Sequence, residues 1–359
     1  VADKRAIAIV ERPPQRPWSP HDLDTTGLAG SQTSYVFLAR HLVELGHEVS
    51  FFGGGTETVD RGVSYHRRRA FDPSANWDMV IGARLPTVLR WVPDSAVRVM
   101  WAHDTQYGDE ITEALAARMD AVVVGSAWAA GRMTEVYPYL TERIRVIPNG
   151  VEPSYYSDLS RPRRPRLVYT SAPERGLDVI LELWPQIRRQ VPRAELAYCY
   201  PAVYDLWPEK YPGFRQLYER IARLSRQDGV EYLGSLGHKT LAELLCESRV
   251  WVGPSWSTLR NSVFPETFCL SAAQAQVAGC WVVASRAAAL PETVRVGRLL
   301  GEEPGTAAWR SELVEAVVAG LSDEELRLRA IAAAPAAAAA FDCRVTLARF
   351  AGLLQAARS

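Results

Sequence analysis

Short apolar runs rich in β-branched residues alternate with longer amphipathic stretches along the whole chain. Strands and helices in that alternation pack as parallel sheets built from βαβ units. In the first half the pattern predicts strands at 6–10, 49–52, 79–81, 97–101, 121–124 and 144–147. Between the first two, Tyr35, Leu38, Leu42 and Leu45 fall close to helical spacing, which predicts a helix over 31–45 that Gly46 ends. The second half starts again, with strands at 167–169, 196–198, 230–233, 250–252 and 281–284 and helices at 177–189 and 270–278. Two doubly wound α/β domains follow. From Thr306 onward the pattern is helical, and the run Ala336 to Ala340 has high helix propensity, with Pro335 as a kink or a start.

A chain of 359 residues is long enough for two such domains, each with its own core. Their boundary is read at Ser160-Arg161-Pro162-Arg163-Arg164-Pro165-Arg166, where prolines remove backbone donors and arginines resist burial. This divides the chain into 1–160, 161–340 and a C-terminal helix at 341–359. Basic and acidic residues balance at 41 each, so no global field recruits nucleic acid or an anionic membrane. The arginine runs, Arg67-Arg68-Arg69 included, read as solvated faces, and membrane contact as peripheral at most. The five cysteines form no C-x-x-C pair and have mostly apolar neighbours, which predicts reduced, buried thiols. No apolar run approaches the ~18 residues of a membrane helix, and the first residues lead straight into a strand. The expectation is a soluble, cytoplasmic protein; its oligomeric state is not legible.

Candidate chemistry concentrates where strand 250–252 opens, through Gly253-Pro254-Ser255 and Pro265-Glu266-Thr267-Phe268-Cys269-Leu270, into helix 270–278. The unpaired amides and dipole of a helix N-terminus stabilise phosphate oxygens. Glu266 repels phosphate, so its carboxylate suits neutral hydroxyls. A hydroxyl-rich group joined to a diphosphate is what a nucleotide sugar offers.

Other candidates lie at strand ends. The turn Gly27-Leu28-Ala29-Gly30-Ser31-Gln32 lets backbone approach a ligand, with Ser31 as a helix cap, or simply needs a positive φ. It lacks the G-x-G-x-x-G spacing of a dinucleotide fold. Asp22-Leu23-Asp24 superficially matches a metal-holding Asp-x-Asp, but no His or Glu cluster accompanies it; contact with an acceptor hydroxyl fits Asp22 and Asp24 better. His103 follows strand 97–101, at the carboxyl end where open α/β sheets bind ligands, and could donate to a sugar hydroxyl, accept a proton, or be satisfied by backbone. The remaining histidines, His238 among them, read as helix or polar-loop residues. In Thr170-Ser171-Ala172-Pro173-Glu174-Arg175-Gly176, Arg175 can grip phosphate oxygens in a bidentate fork.

Together these pieces resemble a retaining, family-4-like glycosyltransferase of the GT-B fold, the large family that includes glycogen synthases and phosphatidylinositol mannosyltransferases. The resemblance rests on Gly30-Ser31, Gly46-His47-Glu48-Val49, Ile147-Pro148-Asn149-Gly150-Val151-Glu152, Glu174-Arg175-Gly176-Leu177-Asp178, and Pro254-Ser255 with Glu266, Phe268, Gln274 and Gly279. It implies two Rossmann-like domains facing across a cleft, with acceptor bound to the first, donor to the second, and a closing helix that crosses back to the first. It implies that Glu266 contacts donor-sugar hydroxyls, that the amides at Phe268, Cys269 and Leu270 meet sugar and diphosphate, that Arg175 replaces the usual diphosphate-binding lysine, and that Gly30, Ser31, Ser171 and His103 complete the donor site. Retention is expected by same-face attack, with the leaving phosphate as base and neither metal nor cofactor.

Two departures from the family stand out. The second glutamate, which usually binds ribose, is Gln274 here, whose neutral hydrogen bonds are weaker. The arginine that commonly precedes the phosphate-binding lysine is missing, unless Arg260, Lys239 or Arg286 supplies the charge. The reading is transfer of a hexose from a nucleoside-diphosphate sugar to a small hydroxylated or thiol acceptor. Alternatives are a nucleotide-sugar epimerase or a phosphorylase on the same fold, and a catalytically inactive nucleotide-sugar-binding partner.

Overall fold

The computed structural model describes residues 4–356 and divides into two compact units. The first takes the chain up to Asp22, then Gly30–Glu152, and again from Phe341; the second takes Leu23–Ala29 and Pro153–Ala340.

In the first unit, strands β1 (Ala6–Glu11), β2 (Glu48–Phe52), β3 (Thr58–Asp60), β4 (Val63–His66), β5 (Met79–Ala83), β6 (Val97–Trp101), β7 (Ala121–Val124) and β8 (Ile144–Val146) form one sheet of order β3-β4-β2-β1-β5-β6-β7-β8. All pairs are parallel except β3 with β4. Its central strands are buried on both faces, which is why they read as unbroken apolar runs. Helix α1 (Gly30–Glu44) is buried along most of its length because β2 lies on one side and the closing helix, Cys343–Ala356, on another. That closing helix is pinned by Val151: its amide donates to the Phe341 carbonyl at 2.7 Å and its carbonyl accepts from Cys343 at 2.9 Å. Phe350 then packs edge-on against Trp101.

Helices α2 (Glu113–Arg118) and α3 (Ala127–Val136) complete the first unit, each begun by a side-chain cap, Thr112 and Ser126. Two local expectations need correcting. Helix α1 starts at Gly30, so Ser31 sits in its first turn rather than capping it, and Leu45 lies past its end, 40% exposed.

The second unit holds β9 (Arg164–Tyr169), α4 (Leu177–Gln190), β10 (Glu195–Tyr198), α5 (Trp207–Lys210), α6 (Pro212–Leu224), β11 (Val230–Tyr232), α7 (His238–Cys246) and β12 (Ser248–Gly253). A hairpin of β13 (Trp256–Ser257) and β14 (Ser262–Val263) follows, then α8 (Leu270–Val277), β15 (Trp281–Ser285), α9 (Leu290–Thr293), β16 (Gly297–Leu300), α10 (Ala307–Ser322) and α11 (Glu324–Phe341). The sheet runs β11-β10-β9-β12-β15-β16, all parallel. Trp184, Trp309, Tyr169 and the aliphatic faces of α4 and α10 fill its core.

The arginine–proline run is not a solvated linker. The first unit ends at Glu152 rather than at 160, and Arg163 and Arg166 are buried. Arg163 donates to the carbonyls of Leu245, Ser248 and Ala278, at the ends of α7 and α8. Helix C-termini leave unpaired carbonyls at the negative end of the dipole, so a buried guanidinium finds its acceptors there. All five cysteines are unpaired and buried. Among the described residues no helix is long and apolar enough to cross a membrane.

Candidate functional site

In the second unit the carboxyl ends of β9 and β12 and the start of α8 gather the expected residues. After β12 the chain turns through buried Ser255, held at φ 49°, and enters the β13–β14 hairpin. A non-glycine residue in the left-handed region is strained, and such strain collects where a fold must aim side chains. The hairpin delivers Phe264 and Glu266. After β9 the turn ends at Gly176, whose φ of 109° and closeness to Pro254, 2.7 Å from where a Cβ would stand, admit only glycine.

These two turns bring Arg175 to Glu266. Arg175 Nη1 donates to Glu266 Oε1 at 2.8 Å, and the guanidinium carbon lies 4.1 Å from the centre of the Phe264 ring. Glu266 is 5% exposed, while a quarter of the arginine side chain remains accessible. Arg175 Nε is buried without a hydrogen-bond partner, so the guanidinium is only partly satisfied. Glu174 stands beside it with a buried, unpartnered Oε2; burial pushes its carboxyl above the usual range and Arg175 pulls it back. Of the three cations considered as a supplement, Arg260 acts electrostatically on Glu174, whereas Lys239 and Arg286 are simply exposed.

Ser171 is buried in the β9 turn, and Phe268, Cys269 and Leu270 are buried where α8 begins. The first turn of that helix has no intrahelical partners for its amides. One turn further, Gln274 is 3% exposed and its Nε2 lies 2.9 Å from Nε2 of His238. His238 is not a polar-loop residue: it is buried, it opens α7, and its ring meets Tyr155 edge-on at 5.3 Å. Sequence reading missed it because its partner lies 36 positions away.

The first unit holds the other expected positions. Gly30 and Ser31 lie in the first turn of α1. His103 follows β6, its ring against Trp101 and Tyr35 at 4.9 and 5.3 Å. Burial, aided by the Arg84 charge, pushes His103 down to about 3. A ring that stays neutral at pH 7 is a poor proton acceptor, so hydrogen bonding to a hydroxyl fits it better than base chemistry. Asp22 and Asp24 have different hydrogen-bond partners. Asp22 accepts from the Ser19 amide at 2.7 Å in the first unit, and Asp24 accepts from the Tyr155 hydroxyl at 2.6 Å in the second.

A buried carboxylate absent from the sequence-based candidates closes β1. Glu11 accepts from the Trp18 indole at 3.0 Å and from the Gly54 amide at 3.0 Å. Burial raises its carboxyl to about 7, against hydrogen bonds from Gly54 and Trp18 and the Arg84 charge. Only the Gly53-Gly54-Gly55 turn, left-handed at Gly54 and Gly55, signals this packing in sequence: a Cβ on Gly54 would lie 2.7 Å from the Trp18 carbonyl.

Residues 167–337 match the family described as glycosyl transferases group 1. This segment is a group 1 glycosyltransferase domain. A curated relative from Arabidopsis thaliana, named as a subunit of phosphatidylinositol N-acetylglucosaminyltransferase, is 26% identical over 171 residues, which are 45% of this chain and 34% of the relative. The match thus spans about a third of that relative's length. Solved structures resemble the whole chain. A sucrose-phosphate synthase from Thermosynechococcus elongatus gives a TM-score of 0.72 at 16% identity, covering 98% of both chains. An Anabaena protein, HepE, described in complex with UDP and glucose, gives 0.70 at 16%, covering 98% of this chain and 100% of its own. AviGT4, described as a glycosyltransferase of avilamycin A biosynthesis, gives 0.66 at 19%, covering 98% and 97%. The fold around the group 1 domain is GT-B.

Proposed function

We propose that the protein transfers a hexose from a nucleoside-diphosphate sugar to a small hydroxylated or thiol acceptor, with retention of anomeric configuration. The observation that carries this reading is the Arg175–Glu266 pair beside the first turn of α8. A carboxylate that suits hydroxyls and a guanidinium that suits phosphate, side by side at a helix N-terminus, match a sugar joined to a diphosphate. Negative charge grows on the departing diphosphate in the transition state. Preorganised donors, Arg175 and the amides at Phe268, Cys269 and Leu270, would stabilise it there. The reading gives the base to the leaving phosphate, and gives Glu266 hydroxyl recognition and the orientation of Arg175. Nucleophilic attack by Glu266 would need a second positioned carboxylate, and Glu174, with its raised carboxyl behind Arg175, faces the guanidinium instead. His103, Gly30, Ser31 and Ser171 are proposed as further donor contacts, and Asp22 and Asp24 as acceptor contacts.

The UDP and glucose in the HepE structure and the glycosyltransferase AviGT4 support a nucleotide-sugar substrate. Calorimetry with UDP-, GDP-, dTDP- and ADP-sugars tests the reading: one or more should bind, and binding by none would refute the donor site. A second reading, an inactive nucleotide-sugar binder, is motivated by Gln274 in place of a charged ribose ligand. Slow release of nucleoside diphosphate from the bound sugar nucleotide separates the two. Release that disappears in Glu266→Gln supports the enzyme; binding with no release from wild type supports the binder.

A further inference from the structure

In the first unit Arg84, the residue after β5, is held at φ 55°, a left-handed conformation that costs energy for any residue with a Cβ. The surrounding backbone holds it there. Its amide donates to the Trp101 carbonyl at 2.9 Å, and its carbonyl accepts from Arg12 Nε at 2.7 Å. The turn doubles back so tightly that a Cβ on Gly82 would stand 2.6 Å from the Leu85 carbonyl oxygen. Strand order places this turn at the switch point of the sheet, since the chain leaves β1 for β2 on one side and returns as β5 on the other. Open α/β sheets bind ligands there, outside the carboxyl ends of the strands.

The strained backbone aims a guanidinium. Arg84 Nε and Nη2 lie 2.8 and 2.7 Å from Oδ2 of Asp104, which follows β6. Asp104 is braced in turn: its amide and that of His103 donate to the Tyr107 hydroxyl at 3.3 and 3.2 Å, and the Tyr107 amide donates to the Tyr137 hydroxyl at 2.6 Å. Both arginine contacts use one carboxylate oxygen. Asp104 Oδ1 and Arg84 Nη1 therefore make no hydrogen bond among the described residues, and 39% of the arginine side chain and 46% of the aspartate side chain stay exposed. The Tyr35 hydroxyl, 1% exposed and under the electrostatic influence of Arg84 and Asp104, also lacks a partner.

An open carboxylate oxygen beside an open guanidinium nitrogen selects its ligand by charge and by hydrogen-bond pattern. An anionic group is repelled by the first and a cationic group by the second, so the match is neutral. Two neighbouring hydroxyls satisfy both, one donating to the carboxylate and the other accepting from the guanidinium. A thiol is a weak donor and a weak acceptor and satisfies neither.

We infer that the Arg84–Asp104 pair is a carbohydrate-binding site that reads two adjacent ring hydroxyls of the acceptor, and hence that the acceptor is itself a sugar or glycoside rather than a thiol. The inference rests on the transferase reading above and narrows its acceptor to one class. It also makes Arg84 and Asp104 specificity-determining residues, because the braced pair can match only hydroxyls that lie side by side.

Ligand-observed NMR on the full chain, without nucleotide sugar, tests it with the methyl pyranosides of glucose, galactose, mannose and N-acetylglucosamine. Wild type should bind at least one, and removing one ring hydroxyl of that ligand, in a series of mono-deoxy analogues, should weaken binding about 10-fold for at least one position. Asparagine tolerates the left-handed backbone better than arginine, so Arg84→Asn removes the guanidinium and keeps the turn. Arg84→Asn and Asp104→Asn should each weaken the parent glycoside about 10- to 100-fold, the span of a hydrogen bond to a charged group, and lose the preference over the deoxy analogue. A pair that only braces the turn would leave binding unchanged in both variants or weaken parent and deoxy ligands equally, and either result overturns the inference. Binding of none of the four glycosides by wild type overturns it as well, while binding of a nucleotide sugar by calorimetry leaves the donor reading standing.

Discussion

Protonation of Glu11 gives a stability change whose sign runs against the usual behaviour of carboxylates. The residue is 5% exposed at the end of β1, and its carboxyl is raised from an ordinary 4.5 to about 7. A raised folded-state value means that the native protein binds this proton more tightly than the unfolded chain does. The group costs nothing below pH 4.5, destabilises progressively as pH climbs to 7, and has a constant cost above that. At about 1.4 kcal/mol per pH unit the full cost approaches roughly 3 kcal/mol, and the part falling between pH 5 and pH 8 is about 2.5 kcal/mol. Glu11→Gln removes the titration. It also leaves one of two donors, the Trp18 indole or the Gly54 amide, facing an amide N–H, for a pH-independent loss of about 1–2 kcal/mol. The difference in unfolding free energy between variant and wild type, from urea titrations in parallel at pH 5, 6, 7 and 8, cancels every other titrating group. It should move in favour of the variant by about 2.5 kcal/mol across that range. A difference that stays flat within about 0.5 kcal/mol, or moves the other way, refutes the assignment of a buried, reluctantly ionised carboxylate.

Gln274→Glu should tighten nucleoside-diphosphate binding about 3- to 10-fold, because a carboxylate accepts more strongly from ribose hydroxyls; unchanged affinity by calorimetry would remove position 274 from the ligand. Gly150→Ala should loosen the closing helix, since its Cβ would stand 2.3 Å from the Cys343 backbone, with an overpacking cost of about 1–3 kcal/mol. Limited proteolysis that cuts after 341 faster in the variant than in wild type checks it, and equal rates would count against the docking described for that helix.

The sheets were legible because parallel strands buried on both faces leave a signal in every consecutive residue, as the burial of β1, β5, β6 and β7 shows. The edge strands β8 and β11 were legible too, but the short β3–β4 pair and the β13–β14 hairpin were not. Strands β3 and β4 and the hairpin before Glu266 are short, and β3 and the hairpin have little apolar content, so their pairing depends on neighbours brought in from elsewhere. The arginine–proline run misled for the same reason: sequence sees four cations, while the fold supplies the carbonyls of Leu245, Ser248 and Ala278 that make one of them buriable.

Sequence alone determined the residue types at the donor-like site: a carboxylate, a cation six residues into a βα turn, a helix start and a glutamine one turn along. These are properties of local spacing on a strand–turn–helix unit, which the chain specifies within a few residues. Only tertiary structure decided their partners. Arg175 and Glu266 lie 91 positions apart and Gln274 and His238 lie 36 apart, yet each pair is in hydrogen-bond contact. The charge state of His103 and Glu11 was decided there too, because desolvation depends on what packs around a side chain and not on its neighbours in the chain.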